Sequence, residues 1–219
     1  MIKALIFDLD GTLANTELLH YQAWKETLAN NGVTNFSLDT FMTFVGTSNE
    51  NVAGSYIKSN GIEKTIPQIV LEKQVVYIDL IPGIKLFAGA REIITRYHGI
   101  FRLALASSSH KKEIVALLKS HDLDIYFDLI IGGDMVERKK PDPEIYLKTQ
   151  QLLEVFPHEC IAFEDSEHGL NSAKNAEMYG VAIPNEFTLD HDFSRADLIL
   201  NSLTEMNEKK ITALLHSPP

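Results

Sequence analysis

Cysteine is almost absent from this chain: Cys160 is the single one in 219 residues. One thiol cannot close an internal disulfide, so the fold must be held by its core, and a reducing compartment, the cytoplasm, is expected. Long hydrophobic runs are missing too. The opening MIKALIFDLDG is apolar for only a few residues before two acids intervene, too short for a signal peptide or a membrane span. Basic charge is scarce, with 20 Lys and Arg against 30 Asp and Glu and a formal net charge of -10. That balance argues against nucleic acid, whose phosphates need a basic face. A local cation can still reverse the field at one small anion site. Internal repeats, low-complexity tracts and long charged runs are lacking, and no coiled-coil pattern or large apolar stripe argues for assembly. A monomer is expected.

What is present is the 45% hydrophobic and 23% charged content of a globular protein, in a chain long enough for one domain and a modest second one. Short apolar runs stand at Ala4–Phe7, Arg102–Ala106, Leu129–Ile131, 161–163 and 181–183, with a weaker one at 198–200. Helix-like stretches lie between most of them, at Lys111–Ser120, 143–153 and 170–178. Nearly continuous apolar strands alternating with helices predict an α/β fold: a doubly wound, mostly parallel, Rossmann-like sheet covered on both faces.

Residues 15–81 break that pattern, and no comparable strand occurs there. Glu17–Asn30 carries Leu18, Leu19, Ala23, Trp24 and Leu28 at helical spacing, with Gly32 as a stop. Residues 40–44, 51–59 and 66–78 also read as helical, separated by Gly46 and by Asn60-Gly61. The expectation is an all-helical cap domain, 15–81, inserted into a core domain made of 1–14 and 82–219. Residues 11–15 and 80–83 would be its hinges.

In open α/β sheets, ligands bind beyond the carboxyl ends of the strands. The first apolar run ends in Asp8 and Asp10, which alternation puts on one face, where two carboxylates repel. The second ends in Ser107, Ser108 and Ser109; the third passes through Asp134 to Lys139-Lys140-Pro141; the fourth ends in Glu164 and Asp165. Four acids gathered in one crevice require a cation, and all-oxygen ligands suit Mg²⁺, which keeps several waters and accepts a substrate phosphate. Lys140, made extended by the following proline, can aim an ammonium at the same place. Ser107 and the amide of Ser108, near a helix start, offer neutral phosphate donors. A carboxylate nucleophile, a metal and a lysine around one oxyanion make a phosphoryl-transfer site.

FDLDGT, followed by Ser107, Lys140 and Glu164-Asp165 in that order, resembles the haloacid dehalogenase superfamily of phosphatases and mutases. Within it the chain is similar to the β-phosphoglucomutase-like and small sugar-phosphate phosphatase group, over nearly its whole length. The resemblance implies Asp8 as the nucleophile that forms an aspartyl-phosphate, and Asp10 as general acid and then base. It implies Asp8, the main-chain carbonyl of Asp10 and Asp165 as Mg²⁺ ligands, with Glu164 close in the same shell. Ser107 and Lys140 would hold the phosphoryl oxygens. Dehalogenases of the superfamily lack the second aspartate, and its transport ATPases place a lysine beside the nucleophile, so Asp10 points to phosphate esters.

Bland roles suffice for several residues. Asp142-Pro143 reads as an N-cap and first-turn pair, Ser166 as a helix cap, Cys160 as a small core residue, Trp24 as packing and Lys139 as a solvated neighbour. Thr16 and His20, four apart on one helical face, correspond to positions that line the substrate side in the β-phosphoglucomutase group. In GTSNEN, Asn49 stands where that mutase has a phosphate-gripping arginine; Lys73 and Lys111 are the nearest basic alternatives. Ser108 and Ser109 complete the expected substrate contacts. The missing arginine favours a phosphatase acting on a small phosphorylated metabolite, a sugar phosphate, over a mutase, which must exclude water from the intermediate. A non-catalytic phosphate sensor is the third reading, but such a protein should have lost part of the set.

Overall fold

The computed structural model describes residues 1–45 and 47–215; Gly46, read above as a helix separator, and residues 216–219 lie outside the described residues. The chain divides into two compact units, Met1–Asn15 with Lys85–Pro219, and Thr16–Ile84.

The first unit begins with strand β1 (Ala4–Phe7), whose four residues are all buried. The second unit follows at once. It holds helices α1 (Glu17–Asn30), α2 (Leu38–Met42), α3 (Asn49–Asn60) and α4 (Ile66–Leu80). Their apolar stripes close over Trp24, Leu28, Phe36, Phe41, Ile69 and Val70. Caps correct two boundaries set by periodicity. The Ser37 hydroxyl accepts the Thr40 N–H at 3.1 Å and so starts α2 at Leu38, not at residue 40. Ser48 does the same for the Asn51 N–H at 3.3 Å, so α3 starts at Asn49 rather than 51.

The first unit then resumes with helix α5 (Ala90–Tyr97), β2 (Arg102–Ala106), α6 (Lys111–Ser120) and β3 (Leu129–Ile131). After these come α7 (Glu144–Leu153), β4 (Cys160–Glu164), α8 (Glu167–Asn175), β5 (Tyr179–Ala182), β6 (Leu198–Ile199) and α9 (Glu208–Leu214). Helices α5 and α9 have no counterpart in the pattern of apolar residues described above. Helix α8 starts at Glu167, three residues before the expected 170, because Ser166 accepts the Gly169 N–H at 3.2 Å. Helix α7 starts at Glu144, whose N–H is taken by Asp142 at 3.0 Å, one residue beyond the expected 143. The strand expected at 181–183 runs from Tyr179 to Ala182, and the one at 161–163 gains a residue at each end.

The sheet order is β3-β2-β1-β4-β5-β6, and every neighbouring pair is parallel. One face of the sheet packs Ala4, Ile6, Ala104 and Ala162 against Ile145 and Tyr146 of α7 and Ala173 of α8. Across β1 and β4, Phe7 and Phe163 stack with ring centroids 4.7 Å apart. Strands buried on both faces read as unbroken apolar runs, which is why β1 and β2 have the bounds that their apolar runs predict; β3, at the sheet edge with Leu129 and Ile130 half-buried, has its predicted bounds as well. The strand order reverses between β1 and β4. At such a switch point the connections leave in opposite directions and open a crevice at the carboxyl ends.

Candidate active site

Register fixes which side chains meet in that crevice. Phe7 lies opposite Leu105 on one side and Phe163 on the other, so the residues after them emerge together. The Asp8 N–H donates to Phe163 O at 3.0 Å, one further rung of the ladder. Asp8 is 5% exposed, Glu164 1% and Asp165 4%. Each offers a carboxylate oxygen within 4.8 Å of the others. Lys140 enters the same cluster: its Nζ lies 2.7 Å from Asp8 Oδ1 and 2.5 Å from Glu164 Oε1, and donates to Ala106 O at 3.0 Å. The Lys140–Pro141 peptide is cis.

Burial of these charges dominates the electrostatics. It pushes the Asp8 carboxyl well above its ordinary range; Glu164 and Asp10 push the same way, and Lys140 opposes them. For Lys140, burial alone would favour the neutral amine, but Asp8 and Glu164 outweigh it and hold the ammonium above its usual pKa. Carboxylates in excess of cations are what a divalent cation would relieve. The all-oxygen donor set of Asp8, Glu164 and Asp165 fits Mg²⁺.

The carboxylate of Asp10 is occupied elsewhere. Its Oδ2 accepts from Ser107 Oγ at 2.9 Å and from Ser109 Oγ at 2.7 Å, while the Ser109 N–H donates to Ser107 Oγ at 3.0 Å. Helix α6 begins four residues after Ser107, at Lys111, whose N–H goes to Asp134 at 2.8 Å. Ser108 is half-buried, and its carbonyl would clash with a Cβ at Gly133. The Lys139 ammonium, expected to be solvated, reaches the Gly133 carbonyl instead. Cys160 lies in the core, where burial pushes its thiol up to about 12.

Thr16, His20, Asn49 and Lys73 all belong to the helical unit. Thr16 is buried at the start of α1, and its carbonyl accepts the His20 N–H at 2.8 Å. The unit brings His20 and Lys73 together: Lys73 Nζ lies 2.8 Å from His20 Nδ1 and 4.3 Å from the centroid of Tyr77. Asn49 is the half-buried first residue of α3.

Three neighbours are not among the residues that the sequence singles out. The Tyr146 hydroxyl donates to Glu164 Oε1 at 2.5 Å; burial, with the charges of Glu164 and Asp8, keeps the phenol protonated. Nothing in the sequence separates this tyrosine from other core tyrosines of the chain, such as Tyr77 and Tyr97. Thr12 Oγ1 lies 3.5 Å from Asp165 Oδ1. Asn185 Nδ2 donates to Asp165 Oδ2 at 2.8 Å and to Gly11 O at 3.1 Å. Asn185 stands three residues beyond the end of β5, as Asp10 does beyond β1 and Ser109 beyond β2. The apolar run expected at 181–183 ends two residues before Asn185, so the signal in the sequence is coarser: a polar residue just beyond a strand's carboxyl end.

A sequence profile of the haloacid dehalogenase-like hydrolases matches residues 5–183. The chain is 35% identical to the protein CbbY of Rhodobacter capsulatus, over 97% of this chain and 99% of that one. It is 32% identical to a phosphorylated carbohydrates phosphatase of Thermotoga maritima, over 82% and 85% of the two chains. The fold is similar to that of β-phosphoglucomutase from Clostridium difficile, with a TM-score of 0.83, 25% identity and coverage of 99% and 98%.

Proposed function

The chain belongs to the haloacid dehalogenase-like hydrolases, as a phosphoric monoester hydrolase of that type, and on this premise we propose that it is a Mg²⁺-dependent sugar-phosphate phosphatase. The observation that carries this reading is the convergence of buried Asp8, Glu164 and Asp165 on Lys140 at the switch point of the sheet.

In the proposed reaction an Asp8 oxygen attacks the phosphorus, the bond to the ester oxygen breaks, and the departing alkoxide takes a proton from Asp10. Water then attacks the aspartyl-phosphate, returns a proton to Asp10, and releases inorganic phosphate with Asp8 regenerated. The Ser109 hydroxyl on Asp10 Oδ2 would fix that carboxyl between the two proton transfers. Lys140 would stabilise negative charge growing on the phosphoryl oxygens, and the Ser107 hydroxyl would swing from Asp10 to join it. Asp8 and Asp165, with Glu164 beside them, would hold Mg²⁺, which supplies charge neutralisation to the phosphoryl group. Substrate roles for Thr16, His20 and Asn49 rest on the resemblance, that of Lys73 on its being a nearby basic alternative, and those of Ser108 and Ser109 on their place beyond β2.

The phosphatase of Thermotoga favours hydrolysis of a phosphorylated carbohydrate. The likeness to a β-phosphoglucomutase keeps a sugar phosphomutase as the second reading. A panel of sugar phosphates assayed with Mg²⁺, scoring free phosphate and sugar products together, separates the two. Inorganic phosphate released in step with free sugar is expected. Glucose 6-phosphate formed from β-glucose 1-phosphate without free phosphate would make the chain a mutase. No turnover on any ester would leave a binding protein.

A further inference from the structure

Asn185 uses every hydrogen-bonding group of its side chain. Its amide nitrogen donates one hydrogen to Asp165 Oδ2 at 2.8 Å and the other to Gly11 O at 3.1 Å, and its Oδ1 accepts the Phe187 N–H at 2.8 Å. Its own N–H is taken by Thr188 Oγ1 at 3.0 Å, and Thr188 is 1% exposed. The side chain therefore has one orientation, set by a turn that comes after β5. It ties together two segments distant in sequence, the loop after β1 and the acid after β4. Packing leaves no slack: a Cβ at Gly11, where φ is +81°, would clash with Asp165 Oδ2 and stand 2.7 Å from Asn185 Nδ2.

We propose that Asn185 is a positioning residue that presents the Asp165 carboxylate to the divalent cation, and that it does so by fixing one carboxylate oxygen relative to the Asp8–Gly11 loop. The inference rests on the metal reading given above. A carboxylate free to rotate would have to be ordered each time the cation binds; one oriented in advance has already met that entropic cost. Groups that orient metal ligands typically change affinity by about 10–100-fold when removed.

The test is calorimetric titration of MgCl₂ into the full-length wild type and Asn185→Ala, without any phosphate ester, with melting temperatures measured in EDTA. The expected result is Mg²⁺ binding weakened by about 10–100-fold. Turnover should return toward the wild-type value at saturating Mg²⁺, while KM for the ester there stays within about threefold of wild type. Asn185→Ser, which keeps a polar group but cannot span Gly11 and Asp165, carries the same expectation if the alanine variant does not fold. Mg²⁺ affinity within about twofold of wild type, with or without a lower melting temperature, would assign Asn185 a purely structural role and overturn the proposal. A wild-type chain that takes up no Mg²⁺ would overturn the metal reading first, and the proposal with it.

Discussion

Lys140 pairs with two carboxylates of the site at once. Its ammonium sits between two buried carboxylates, with side-chain exposures of 5% for Lys140, 8% for Asp8 and 1% for Glu164. Removing one partner of a buried ion pair leaves charge uncompensated, at a cost of about 3–5 kcal/mol. Lys140→Ala should lose stability of that order in EDTA, as read by urea denaturation. Mg²⁺ should raise its melting temperature more than it raises that of the wild type, because the cation then meets a more negative cluster. An equal Mg²⁺ effect in both proteins would mean that Lys140 and the cation do not share one field. The residue types beyond each strand were legible in the sequence, and they make Asp8, Asp10, Ser107, Lys140, Glu164 and Asp165 candidates. That Ser109 faces Asp10, or that Tyr146 reaches Glu164, was not legible, since such contacts depend on rotamers and on helix placement.

At the scale of elements, helix α8 is placed by the site as much as by the core. A Cβ at Gly169 would collide with Glu164 Oε2, and Glu164 cannot yield while Lys140 and Tyr146 hold its other oxygen. Gly169→Ala should therefore cost about 1–3 kcal/mol by overpacking, with turnover falling alongside. Urea midpoints and kcat measured together check this; a variant as stable and active as wild type would show that α8 can shift freely. Elements buried on both faces, such as β1 and β2, were legible because nothing but an apolar strand fits there. Boundaries set by a single cap were less so. Ser166 reads as a cap, yet periodicity places the helix it starts three residues late, because the apolar run begins at Leu170 while capping acts on backbone amides. Helix α5 was legible but passed over: its buried Ala90, Ile93, Ile94 and Tyr97 stand at i, i+3, i+4 and i+7, the spacing of a helix that packs one face.

For the whole molecule, the proposed divalent cation would reconcile the net charge of -10 and the acidic cluster with an anionic phosphate-ester substrate. The order of the six strands explains why residues 8, 140 and 164–165 meet at one point: it is where the strand order reverses, between β1 and β4. That alternation of strands and helices was visible in the sequence; the order of strands across the sheet was not, since parallel pairing leaves no local mark. Among the described residues no helix is long and apolar enough to cross a membrane. In the proposed reaction Asp8 carries the phosphoryl group between ester and water. This role is tested most directly by rapid-quench labelling with a radiolabelled sugar phosphate and Mg²⁺, comparing wild type with Asp8→Asn and mapping the label by mass spectrometry. A hydroxylamine-labile phosphate on Asp8 of the wild type is expected. In Asp8→Asn no label is expected, and turnover lower by at least about 10³-fold, with the melting temperature showing a folded protein. Label on another residue, or turnover that survives the substitution, would contradict this role of Asp8.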